Sequence, residues 1–182
     1  MNESKISVRY AKALFSSALE DQILEEVMED IKLVQSSLEI KGFKEYLESP
    51  VIKTSSKSEL VRKVFKERIS GLSMNFFELL LSKNREDYLG SIIRNFISLY
   101  REEKGIKSAS LKIPFQVSDK NRKKFISLLE NTYKSKIEME EKLDTELIGG
   151  FILTVEDEQF DASIKTGLAK IKKHLLRTPI KN

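Results

Sequence analysis

Apolar residues recur at helical spacing through the first hundred residues of the chain. The pattern is clearest between residues 24 and 38, where spacings of three and four alternate, as is typical of a helix with one buried face. Further helices are predicted over residues 8–20, 43–47, 75–82 and 88–100. The capping-box spacing of Ser56 and Glu59 predicts another helix start, and Gly71 is expected to interrupt the pattern. About six helices joined by short loops favour a small bundle.

Two of these helices are apolar over much of their circumference. Tyr10, Ala13 and Leu14 share one stripe of the first helix, while other apolar residues form a second stripe. The helix over residues 75–82 has almost no polar side. A helix of this kind is either buried on several sides or offers a face to another protein, and the pattern leaves both readings open.

After Gly105 the apolar period changes from that of a helix to that of a strand. Apolar residues alternate with polar ones from Ala109 to Val117, which predicts a strand, and Pro114 within it favours an edge position or a bulge. Weaker alternation predicts a second strand over residues 137–143, and a short apolar run predicts a third over residues 151–155.

Two helices are predicted to cover this small sheet. The first follows Ser118, and its expected core face consists of Phe125, Leu128, Leu129 and Thr132. The second begins near Asp161 or Ser163, and its expected core face consists of Ile164, Leu168, Ile171 and Leu175. The predicted fold is therefore mainly α, with an N-terminal six-helix bundle over residues 1–105 and a small α+β domain with a short sheet over residues 106–182.

The charge is distributed unevenly between these two parts. The net charge of +4 comes entirely from residues 106–182, because residues 1–105 carry 17 basic and 17 acidic side chains. A basic domain favours an acidic partner, although a lysine-rich solvated surface explains the excess equally simply. Nucleic-acid binding is disfavoured because the basic clusters, residues 120–124 and 170–177, lack interleaved exposed aromatic residues.

The composition does not favour catalysis or metal binding. The chain has no cysteine and one histidine, so neither a zinc site nor a Ser-His-Asp constellation is expected. Gly149 and Gly150 are not followed by the Lys-Ser/Thr of a phosphate-binding loop, which indicates a backbone role. We therefore expect no catalytic residue, no metal and no cofactor. No apolar run is long enough to predict membrane insertion.

The most specific motif lies before and after the third predicted strand. An Asp-x-x-Leu-Ile-Gly-Gly-Phe run is followed by Asp-x-Ser, and its members are Asp144, Leu147, Ile148, Gly149, Gly150, Phe151, Asp161 and Ser163. This motif resembles the C-terminal signature of the delta subunit of F-type ATP synthases, the family of the mitochondrial oligomycin-sensitivity-conferring protein. Residues 9–15, Pro50-Val51-Ile52 and Lys83-Asn84-Arg85 resemble other parts of that family.

The resemblance implies a noncatalytic connector in the stator of the synthase, present in one copy per complex. In this family the helical domain is expected to bind the N-terminal helix of an alpha subunit between its first and fifth helices. The implied contact residues are Tyr10, Ala13, Leu14, Asn75 and Leu79. The second domain is expected to bind the peripheral-stalk b subunits, so that the head resists the torque of the rotor during proton-driven ATP synthesis.

The resemblance and the N-terminal sequence together imply a location. Residues 1–5 have neither the apolar core of a signal peptide nor the character of a transit peptide, so a peripheral position on the cytoplasmic face of a bacterial plasma membrane is expected. The alternative from another class is a small basic nucleic-acid-binding adaptor.

Overall fold

The chain forms two compact units that divide near residue 100. The computed structural model describes residues 5–177, with side chains described as far as Lys173. The first unit is helical and the second combines a four-stranded sheet with helices, which confirms the predicted fold class.

The first unit contains six α-helices and one short 3₁₀ turn. They are α1 (Lys5–Glu20), α2 (Leu24–Leu38), α3 (Phe43–Glu48), α4 (Thr54–Phe65), α5 (Gly71–Ser82), the 3₁₀ turn Glu86–Tyr88, and α6 (Leu89–Lys104). Their apolar stripes meet in one core, whose fully buried members include Leu14, Ile31, Leu80, Ile92 and Phe96. The regular apolar spacing of α2 is thereby explained, since that helix buries one continuous face.

Two local predictions for this unit are wrong. Ser56 does not cap a helix, because α4 begins earlier, at Thr54, and residue Lys53 before it provides no side-chain cap. Gly71 does not interrupt a helix but is the first residue of α5.

The start of α5 is fixed by hydrogen bonds that a sequence pattern does not reveal. The hydroxyl of Ser70 accepts a hydrogen bond from the Ser73 amide, at 3.2 Å. The buried carboxylate of Asp30 in α2 accepts two hydrogen bonds from Ser70, one from its amide at 3.0 Å and one from its hydroxyl at 2.7 Å. The cap therefore also ties the start of α5 to α2.

A buried ion pair joins α4 to the turn after α5. The ammonium group of Lys57 donates a hydrogen bond to Oε1 of Glu86, and the two side chains are only 5% and 8% exposed. Glu86 lies among apolar side chains of the bundle. Each charge therefore depends on the other for its compensation.

The second unit contains a mixed sheet and two helices. Its elements are β1 (Ile106–Ile113), α7 (Asp119–Tyr133), β2 (Lys136–Leu143), β3 (Ile152–Val155), β4 (Glu158–Asp161) and α8 (Ile164–Arg177). The strand order is β2-β1-β3-β4, with β1 parallel to β2 and antiparallel to β3. The helix α7 is the crossover that a parallel pair requires.

Contrary to the prediction from the sequence, the first strand is neither an edge strand nor bulged at Pro114. β1 lies between β2 and β3, and it ends at Ile113, so Pro114 is outside the ladder and disturbs no hydrogen bond. The strand β4 was not predicted, because Phe160 is its only apolar residue and no alternation is visible.

The core face of α7 differs from the predicted one. Phe125 and Leu129 face the sheet as expected, whereas Leu128 and Thr132 are exposed. Ile126 and Tyr133 take their places. The observed core face is offset from the predicted one by about one residue. It contains the larger apolar ring of Tyr133 in place of the polar Thr132, and so buries more apolar surface.

The apolar face of α8 is exposed, which contradicts the expected burial. Ile164, Leu168 and Ile171 are 48%, 58% and 59% exposed. The side chain of Leu175, the fourth predicted core position, lies outside the described residues. The spacing correctly predicted an amphipathic helix, but it could not specify whether this chain or another covers the apolar side.

Candidate functional site

A groove lies between α1 and α5 on the first unit. Its volume is about 600 Å³, and its lining combines apolar side chains with a few polar ones. It is lined by Ile6, Arg9, Tyr10, Ala13, Leu14, Ser17, Leu72, Asn75, Phe76, Leu79 and Arg85. The five residues expected to contact a partner, Tyr10, Ala13, Leu14, Asn75 and Leu79, all line this one groove.

The groove follows from two stripes at helical spacing. On α1 the lining positions run from Ile6 to Ser17 with spacings of three and four, and on α5 they run from Leu72 to Leu79 in the same way. Eleven residue steps along α1 correspond to about 16 Å, or roughly three helical turns. The groove therefore matches the length of a short docked helix.

The groove has a buried floor and open walls. Leu14 and Phe76 are buried, and the Tyr10 ring meets the Phe76 ring edge to face with centroids 6.2 Å apart. Ala13 and Asn75 are exposed at the walls. Because Ala13 has the smallest side chain of the lining, another backbone can approach α1 closely at that point.

Both apolar helices bury one part of their surface in the bundle and expose another. α5 buries most of its apolar residues in the bundle core but leaves Leu79 exposed in the groove. α1 likewise buries Ala11 and Ala18 while Ala13 faces outward.

Six lining residues were not among the predicted contacts, and two of them, Arg9 and Arg85, are charged. Arg9 lies one turn before Ala13 on the same face, so its position in the groove follows from i, i+4 spacing. Arg85 lies beyond the end of α5, where a tertiary turn rather than helical spacing brings it to the groove.

The signature residues of the second unit fix the start of α8. Gly150 has a φ of +79°, and a Cβ there would lie 2.2 Å from the carbonyl oxygen of Ala162. A Cβ on Gly149 would lie 2.6 Å from Cδ1 of Ile164. The Ile164 amide donates a hydrogen bond to the Gly149 carbonyl at 3.0 Å. At Gly150 the positive φ and the nearby backbone carbonyl therefore require glycine, whereas at Gly149 the Ile164 side chain would have to move.

The Asp-x-Ser part of the signature caps the same helix. The Asp161 carboxylate accepts hydrogen bonds from the Ser163 amide at 2.9 Å and from the Thr166 hydroxyl at 2.7 Å. The Ser163 hydroxyl accepts one from the Thr166 amide at 3.2 Å. Hydrogen bonds from Ser163 and Thr166 lower the pKa of Asp161 because they stabilise its charged form.

The remaining signature residues close the loop before β3. Asp144 accepts hydrogen bonds from the amides of Glu146 and Leu147, and Leu147 is buried. Phe151 packs edge to face against Phe125 of α7, with centroids 5.5 Å apart. Ile148 differs from these residues because its side chain is exposed.

The second candidate surface is the exposed apolar stripe of α8, formed by Ile164, Leu168 and Ile171. These residues are spaced four and three positions apart, so they share one face of the helix. Exposed lysines lie beside the stripe at positions 165 and 172, and two more, at positions 170 and 173, lie farther around the helix. An apolar stripe flanked by cations is typical of a surface that docks on an acidic amphipathic partner.

Neither surface carries a reactive constellation. Within residues 5–173 no three histidine, cysteine, aspartate or glutamate side chains converge on a possible metal position. Among the described helices, none is long and apolar enough to cross a membrane.

Comparisons with known proteins agree with the architecture. The family model described as "ATP synthase delta (OSCP) subunit" matches residues 6–175. The "ATP synthase subunit delta" of Chloroherpeton thalassium is 33% identical over 173 residues, covering 94% of each chain. That of Salinibacter ruber is 30% identical, covering 96% of this chain and 93% of its own. A chain in the cryo-EM structure of the Toxoplasma gondii mitochondrial ATP synthase hexamer has the same fold, with a TM-score of 0.79 at 22% identity over 96% of this chain and 99% of that one.

Proposed function

This chain belongs to the ATP synthase delta (OSCP) subunit family, and we propose that its two units bind different partners within that complex. The family is a noncatalytic component of the peripheral stalk, so the chain is a structural subunit of ATP synthase and not its catalyst. The observation that supports the proposal is the presence of two separate docking surfaces, the α1–α5 groove and the α8 stripe.

The α1–α5 groove binds the N-terminal helix of an alpha subunit in this proposal. Three kinds of observation support it: the groove has the length of a short helix, its floor is apolar, and its walls expose Ala13 and Leu79. Apolar anchors of an amphipathic helix bind such grooves at i, i+3 or i+4 and i+7 spacing.

The α8 stripe binds the b subunits of the peripheral stalk in this proposal. Ile164, Leu168 and Ile171 would be covered on docking. Because each is already about half buried, covering the rest contributes about 1–1.5 kcal/mol per side chain, roughly half the value for a fully exposed residue. The flanking lysines favour an acidic segment on the stalk.

The mechanism requires stiffness and affinity and no bond-making step. A connector that holds the head to the stalk must remain bound while the rotor pulls against it. The subunit is then held peripherally on the cytoplasmic face of the membrane, in one copy per complex, through its protein partners. The alternative of a nucleic-acid-binding adaptor gains no support from the family assignment.

A matched pair of substitutions on α1 tests the groove. Ala13→Asp places a carboxylate in the groove, and desolvating it on docking is expected to weaken binding of an alpha-subunit N-terminal peptide by about 2–4 kcal/mol. Ser16→Asp adds the same charge on an exposed position of α1 that does not line the groove, and it should bind normally. Equal affinities of the two variants in calorimetric titration would refute the assignment.

A further inference from the structure

We infer that Arg9 and Arg85 bind a carboxylate on the helix that docks in the α1–α5 groove. The inference rests on the proposed function of the groove and specifies the chemistry of its occupant. The occupant is an amphipathic helix that carries an aspartate or glutamate beside its apolar stripe, placed to meet the two guanidinium groups.

The two arginines are the only charged residues in the lining of the groove, within the part of the chain that the structure describes. Arg9 is exposed on α1, one turn from Ala13. Arg85 is half-buried, and its guanidinium lies 5.8 Å from the centroid of the Tyr88 ring. The stacking restricts the motion of the Arg85 side chain, which lowers the entropy cost of binding an anion there.

The backbone also holds Arg85 at the groove. The residue before it, Asn84, adopts a left-handed conformation with a φ of +51°. The Arg85 amide donates a hydrogen bond to the carbonyl of Leu80 at 2.9 Å. The chain therefore turns sharply after α5 and returns Arg85 to the helix that forms the groove wall.

Two of the carboxylates near Arg85 in the sequence are already paired with other residues. Glu86 is buried against Lys57, and Glu78 accepts two hydrogen bonds from Arg62, at 2.5 and 3.0 Å. Among the described residues, neither Arg9 nor Arg85 forms an ion pair. The first 105 residues have balanced charge, so two uncompensated cations in one apolar groove are a local feature and not the consequence of a basic domain.

Docking would strengthen the preference of these two arginines for an acidic over a neutral partner side chain. A helix in the groove excludes solvent, and a guanidinium left without a partner in such a site is unfavourable. A carboxylate offers the planar, bidentate match that a guanidinium prefers, whereas an amide provides a weaker single acceptor. The arginines therefore favour acidic over neutral helices of the same shape.

Two peptides separate this inference from the groove proposal itself. The full chain is titrated with a peptide of about twenty residues from the N-terminus of the cognate alpha subunit, and with the same peptide in which every aspartate and glutamate is replaced by its amide. The acidic peptide is expected to bind about tenfold more tightly. This preference should weaken as salt rises from 0.05 to 0.3 M.

The variant Arg9→Gln/Arg85→Gln should bind both peptides with the affinity that the wild type shows for the amide peptide. Lys12→Gln is the matched control, since Lys12 is exposed on α1 but does not line the groove, and it should keep the preference. Arg85→Lys separates charge from geometry and should retain only part of the preference. Circular dichroism establishes that each variant is folded.

The outcomes distinguish the two ideas. Equal affinity of the wild type for both peptides would overturn the carboxylate inference and leave the groove proposal standing. A preference that survives in the double variant would also overturn it, because the selectivity would then arise elsewhere. Failure of both peptides to bind the folded wild type would overturn the groove proposal and this inference with it.

Discussion

Replacing Lys57 by methionine tests how the turn after α5 is held. The substitution keeps the length and most of the volume of the side chain but removes its charge. Glu86 would then be a buried carboxylate without its partner, since both side chains of the pair are almost completely buried. Its second oxygen, Oε2, already has no hydrogen-bond partner among the described residues, so the environment offers no replacement donor.

The expected cost follows from this environment. Removing one partner of a buried ion pair destabilises a protein by about 3–5 kcal/mol, because the remaining charge stays desolvated. The site is lined by Leu47, Val61 and Phe65, which cannot solvate it. For a unit of this size each kcal/mol lowers the midpoint of thermal unfolding by about 4–8 °C, so Lys57→Met should lower it by about 12 °C or more.

The assay is urea unfolding of the full chain followed by circular dichroism at 222 nm, a signal that the helical first unit dominates. The control is Lys57→Met/Glu86→Leu, which removes both charges and should recover most of the lost stability, because an apolar pair avoids the desolvation cost. A loss below about 1 kcal/mol in the single variant would refute the reasoning, since that is the range of an exposed pair. A double variant as unstable as the single one would show that packing, not charge, holds the turn.

Three further outcomes are expected in the second unit. Gly150→Ala should destabilise it by about 1–3 kcal/mol because φ is +79°, whereas Gly167→Ala, with open space at its Cβ, should stabilise α8 by about 0.5–1 kcal/mol. A raised urea midpoint for Gly150→Ala or a lowered one for Gly167→Ala would contradict this. The pKa of Asp161 is lowered in the folded chain, so its charged form stabilises the fold. This stabilisation is complete above the ordinary pKa of about 3.9 and is lost as the pH falls through the lowered pKa. An NMR titration that gave Asp161 an ordinary or raised pKa would contradict this. Leu168→Asp should abolish most b-subunit binding with little change in melting temperature. Ala169→Asp, which lies off the stripe, should preserve b-subunit binding. Equal recovery of b subunits by both variants in a pull-down would contradict the assignment of the α8 surface.

The sequence predicted the helices and strands in which burial of one face imposes a regular spacing of apolar residues. α2 was predicted because a helix buried on one face must repeat its apolar residues every three or four positions, and the repeat from Leu24 to Leu38 coincides with the helix. β4 was missed because an edge strand with one apolar residue carries no such repeat. The start of α5 was misplaced because Asp30, forty residues away, fixes it through tertiary hydrogen bonds.

The two surfaces differ in how far the sequence could predict them. The α1 side of the groove follows from helical spacing once Ala13 is taken as its centre, but Arg85 reaches the groove through a turn that no periodicity shows. The stripe on α8 was correctly predicted as apolar and wrongly predicted as buried. Amphipathic spacing shows that one face of a helix is apolar. It does not show whether that face is covered by the same chain or by a partner protein.

Docking of an alpha-subunit helix in the α1–α5 groove can be measured by calorimetric titration of the full chain with the cognate alpha-subunit N-terminal peptide at several temperatures. We expect one-to-one binding with a negative heat-capacity change, because docking buries the apolar surface around Ala13 and Leu79. Absence of binding by a chain that circular dichroism shows to be folded would contradict it.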